Sequence, residues 1–72
     1  MKIQYFQGTD TLYIELRACD VDETRDFDEN TLIDVDEYGE ICALTIEHAR
    51  ARADVPYFSF GQIGGERLVA TR

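Results

Sequence analysis

Seventy-two residues leave room for one domain, and a chain this short buries only roughly 60% of its unfolded surface. A hydrophobic content of 44% with eight aromatics is enough to fold and argues against disorder, while no apolar run approaches the ~18 residues of a membrane-spanning helix. Net charge is −8, and ten acids between Asp20 and Glu40 face Arg25 alone, a distribution that repels phosphate backbones and excludes direct nucleic-acid binding.

The chain opens with a period-two segment at residues 2–6, where Ile3 and Tyr5 share one face and Gln4 and Phe6 the other. No apolar h-region follows Met1-Lys2, so the N-terminus does not read as a secretory signal and a cytoplasmic protein is expected. Cys19 and Cys42 are then expected to be free thiols serving as small apolar side chains. Gln7-Gly8-Thr9-Asp10 is turn chemistry, with Gly8 suited to positive φ and Asp10 to bonding its own backbone. Leu12, Ile14 and Leu16 share a face within a second strand, residues 11–17, giving a hairpin with the first.

Residues 21–27 alternate again but are so acidic that they suit an exposed edge strand or an ordered loop. Asp28-Glu29-Asn30 is the next turn. Residues 31–36 and 41–46 are two apolar, β-branched runs around Asp36-Glu37-Tyr38-Gly39-Glu40, which predicts a hairpin with Gly39 in a left-handed conformation. On the return run Ile41 and Ala43 have one parity and Leu44 and Ile46 the other, the pattern produced by a β-bulge or by a strand passing into a covered face. Residues 47–53 are alanine-rich, with Glu47 early and Arg50 and Arg52 late, and predict a short helix stopped before Pro56. The fold class is therefore α+β, mainly β. It is a small antiparallel β-meander with one short helix after the last core strand, and Ile3, Leu12, Ile14, Leu16, Ile33, Val35, Leu44 and Ile46 form its core. Residues 1–54 make up this unit. Residues 55–72 form a C-terminal extension, read either as a hairpin turning at Gly64-Gly65 or as an oligomerisation tail.

At this point the residues carry a resemblance. Met1-Lys2-Ile3, Asp10-Thr11-Leu12-Tyr13-Ile14, the acidic strand, Asp34-Val35-Asp36 with Gly39, and Ile46-Glu47 with Ala49 occur in the order seen in a small bacterial family. The chain resembles that family, catalogued as domain of unknown function 2283, over about residues 1–52. Ala49 arrives one position earlier than the family spacing. The resemblance implies a compact β-meander with a short C-terminal helix, and no activity, cofactor or site.

Asp34-x-Asp36-x-Tyr38-Gly39 begins like a calcium loop, but Tyr38 stands where an Asp or Asn should be and Thr45 where the bidentate Glu should be. Cys19, Cys42 and His48 lack the fourth ligand and the Cys-x-x-Cys spacing of a zinc site. His48 beside Glu47 has no nucleophile or oxyanion donor and reads as a solvent-facing helix residue. The acids lie on exposed strands with nothing to raise one pKa, and Gly61, Gly64 and Gly65 lack the Lys or helix start of a phosphate loop. The expectation is a non-enzyme without cofactor or metal.

Two binding functions remain. In the first, an acidic face made by Asp22, Asp26, Asp28, Asp34 and Asp36 engages a basic protein, by analogy with small acidic proteins that neutralise basic, ribonuclease-like toxins. In the second, Tyr57, Phe58, Phe60 and Ile63 join two copies into a homodimer with no activity of its own.

Overall fold

The computed structural model describes residues 1–64. Five strands, β1 (Lys2–Phe6), β2 (Thr11–Glu15), β3 (Glu23–Asp28), β4 (Thr31–Val35) and β5 (Ile41–Glu47), precede a single-turn helix, α1 (Ala49–Arg52). All neighbouring strands are antiparallel, in the order β1-β2-β5-β4-β3. The antiparallel sheet followed by one short helix is what the period-two pattern predicts.

The strand order departs from simple succession at one place. β5 lies between β2 and β4, and the link 16–22 carries the chain across the end of the sheet to an outer position for β3. Composition explains the arrangement. β5, with Cys42 and Ala43 fully buried and no charge before Glu47, fits the centre. β3, with all six residues exposed, fits an edge, as its acidity predicts.

Register sorts the side chains into two faces. Ile3, Ile14, Leu44, Ile33 and Arg25 stand in one cross-strand row, and Tyr5, Leu12, Ile46 and Thr31 in the next row of that face. Gln4, Tyr13, Thr45, Leu32 and Asp26 line the other face, which is largely polar. The expected bulge is present, since Asp34 pairs with Ala43 while Val35 pairs with Ile41, leaving Cys42 as the extra residue.

The core is smaller than the sequence pattern implies. Val35, Cys42, Ala43 and Ala49 are the buried apolar side chains among the described residues, with Thr31 beside them. Leu12, Ile14, Ile33, Leu44 and Ile46 are half-buried. Ile3 and Leu16 are exposed, against expectation. Ile3 lies on an edge strand, and β2 ends at Glu15, so Leu16 already belongs to the link that leaves the sheet.

Four further corrections follow from local geometry. Cys19 and Cys42 are joined in a disulfide, not free. The link brings Cys19 over the start of β5, where the Leu16 and Arg17 N–H groups both donate to the Cys42 carbonyl at 2.8 and 3.4 Å. In the first turn the positive φ falls on Asp10 (56°), not on Gly8. Glu47 completes β5 and so does not begin the helix. His48 stands outside α1 as a left-handed junction at φ 55°, exposed to solvent. Gly39 has φ 82°, as its place in the hairpin turn requires.

Candidate functional site

The five candidate acids do not form one site. Asp26 and Asp34 lie on the polar face of the β3–β4 pair, and Asp34 Oδ1 accepts the Thr24 hydroxyl at 2.7 Å. Asp36 heads the β4–β5 turn. Its Oδ1 accepts the Tyr38 and Glu40 N–H groups at 2.9 Å each, and its Oδ2 meets the Arg17 guanidinium at 2.8 Å. These bonds, the one from Arg17 foremost, hold its carboxyl below the usual carboxylate range. Asp28 lies at the opposite end of the hairpin. Its Oδ1 accepts the Asn30 N–H at 2.9 Å, and Arg52 stands 3.4 Å from its Oδ2. The Asn30 bond is the main cause of its lowered pKa.

Asp28 and Asp36 are thus occupied in building turns and in joining elements. Asp22, just before β3, and Asp26, within it, have no side-chain hydrogen bond or ion pair among the described residues. Asp26 lies on, and Asp22 just before, a strand whose outer edge has no strand partner among the described residues.

The second candidate group, Tyr57, Phe58, Phe60 and Ile63, is exposed by 80, 69, 76 and 97%. Ala53, Val55, Pro56, Tyr57 and Phe58 share the lining of a cavity of about 320 Å³ with Ile3, Tyr5, Leu12 and Ile14 of the apolar face. Phe58 and Phe60 continue to the sheet edge and, with Met1 and Ile3, border a shallow cleft of about 360 Å³. Of the pair Gly64-Gly65 only Gly64, at φ 90°, is described, and the hairpin expected to turn there lies outside the described residues.

Local sequence does not reveal how α1 is fastened. Asp10 serves as an external cap for this helix, whose N-cap side chain makes no bond. The Ala49 N–H donates to the Asp10 carbonyl and the Arg50 N–H to Asp10 Oδ1, each at 3.0 Å. The Tyr5 hydroxyl donates to the same Oδ1 at 2.7 Å. At the far end of the helix Arg52 Nη1 donates to the Asn30 carbonyl and to the Thr31 hydroxyl at 3.0 and 2.8 Å.

Taken together, the residues define a single antiparallel sheet with an acidic edge strand, an apolar face and two turns fastened by carboxylates. The family described as "Protein of unknown function (DUF2283)" matches residues 2–50, and the chain belongs to it. No curated protein and no solved structure matches the chain.

Proposed function

We propose that this protein is a small acidic interaction module that docks a basic protein partner along β3. The observation that carries the reading is the outer edge of β3, which has no strand partner among the described residues, with all six residues exposed and no bond to the Asp22 and Asp26 carboxylates from those residues. An unpaired strand edge offers backbone donors and acceptors to an incoming segment, and the surrounding acids select a positively charged one and speed its encounter. A partner of the basic, toxin-like kind fits the same chemistry. The immobilised full-length chain should recover a basic protein from host lysate, with recovery falling at raised salt and in the Asp22→Asn, Asp26→Asn double variant. Equal recovery by the double variant would refute the reading.

A second reading, self-association, is favoured by the exposure of Tyr57, Phe58, Phe60 and Ile63. Such a patch exceeds what soluble monomers usually leave to water.

A further inference from the structure

We infer that a second copy of this chain docks along β1, so that two sheets join edge to edge into one. The inference rests on the second reading above and assigns it a surface. β1 and β3 are the two outer strands of the sheet among the described residues, and their chemistry differs. Two copies of β3 side by side would bring Glu23, Asp26 and Asp28 of each copy together with only Arg25 to offset them, and this excess of like charge guards that edge against its own kind.

β1 has no acid. Its single charge, Lys2, is already paired with Glu15 on β2 at 3.6 Å. The outer N–H and C=O groups of this strand have no strand partner among the described residues. A two-fold axis at Gln4 sets Ile3 of one copy beside Tyr5 of the other, and both residues belong to the apolar face. The apolar row of one sheet then continues into the next. The cleft bordered by Met1, Ile3, Phe58 and Phe60 opens at this edge, so the aromatic segment of each copy flanks the joint. At ~200 Å² for a full aromatic side chain, the exposed parts of Tyr57, Phe58 and Phe60 come to roughly 450 Å², to which Met1, Ile63 and the edge of β1 add. A standard interface takes about 800 Å² from each partner.

Sedimentation of the full-length chain across the micromolar range, with hydrogen exchange followed at the same concentrations, tests this. The expected result is a species of twice the 8.3 kDa chain mass, with β1 amides gaining protection as it forms. Replacing Phe58 and Phe60 together by Ser should raise the dissociation constant at least about tenfold. Both side chains are mostly solvent-exposed, so the fold should survive. Phe27→Ser, at an exposed position on β3, should leave the dissociation constant unchanged. A monomer throughout the range would overturn both the β1 docking and the self-association reading. A dimer with no protection at β1, or one indifferent to Phe58 and Phe60, would leave self-association standing and overturn the β1 docking.

Discussion

Asp10 and Arg50 lie 40 positions apart, and the Arg50 N–H donates to Asp10 Oδ1 at 3.0 Å. A carboxylate from the first turn thereby supplies the cap that α1 lacks, and the Tyr5 hydroxyl holds the same oxygen in place. The Tyr5 bond is the leading cause of a lowered Asp10 pKa, with the Arg50 N–H adding to it. A carboxyl held lower in the folded state than in the unfolded chain contributes stability that is present above the unfolded value, 3.8, and is lost as pH falls through the folded value. Asp28 and Asp36 act in the same direction. The melting temperature should therefore fall steeply below about pH 4. Asp10→Asn should flatten part of that fall, whereas an unchanged acid limb would show that this cap does not form.

The Tyr5 hydroxyl is the other half of the same bond, and its pKa is raised mainly by Asp10. Its contribution is present below the unfolded value of 10.0 and is lost as pH rises through the higher folded value. Tyr5→Phe should lower the melting temperature at neutral pH and remove the corresponding loss at alkaline pH. Spectrophotometric titration of the tyrosines, compared between wild type and variant, checks this.

Gly39 isolates a purely backbone effect. A Cβ at this position would meet nothing within 4 Å, yet φ is 82°. Gly39→Val should therefore cost roughly 1–3 kcal/mol through backbone strain alone. Gly39→Asn should cost much less, because Asn enters the left-handed region readily. Equal urea midpoints for the two variants would place the strain elsewhere in the turn.

Much of the architecture is legible in the sequence because it is local. The alternation of Ile3 with Gln4 and of Leu12 with Tyr13 marks two strands. The parity change within Ile41 to Ile46 announces a bulge, which the fold places at Cys42, and the acids of residues 22–28 mark an edge. What escapes is long-range. Nothing near Cys19 announces Cys42, 23 positions on, and nothing near Asp10 announces Arg50. The placing of β5 between β2 and β4 likewise depends on which strand best tolerates burial on both faces. The candidate acids show the same limit. Composition counts Asp28 and Asp36 with Asp22 and Asp26, but only the folded chain shows the first two committed to backbone N–H groups and to arginines.

Burial now ranks apolar positions that alternation treats alike. Val35 is 3% exposed opposite Ile41 of β5, whereas Leu16 is 42% exposed beyond the end of β2. Val35→Ala should cost roughly 1–3 kcal/mol, and Leu16→Ala should stay near 0.5 kcal/mol. Denaturant midpoints giving the two variants equal losses would mean that the Leu16 side chain is buried after all.

The disulfide makes the most direct prediction. Cys42 is fully buried at the bulge of β5, and Cys19 is half-buried in the link that carries the chain to β3. The bond therefore pins the middle of the crossing, and Arg17, two residues earlier, pins it again at Asp36. An attacking thiolate reaches Cys19 sulfur first and must expel the Cys42 thiolate into apolar surroundings, which slows reduction of the folded chain. The air-oxidised native protein should show no titratable thiol. Two should appear only after unfolding in reductant. Loss of the bond should remove roughly 3 kcal/mol, lowering the melting temperature by roughly 10–20 °C. Cys19→Ala should reproduce that loss without reductant, since its residual Cys42 keeps its place in the core. Two reactive thiols in the native oxidised protein, or a Cys19→Ala variant that melts with wild type, would show that the link to β3 is held by Arg17 and the backbone bonds alone.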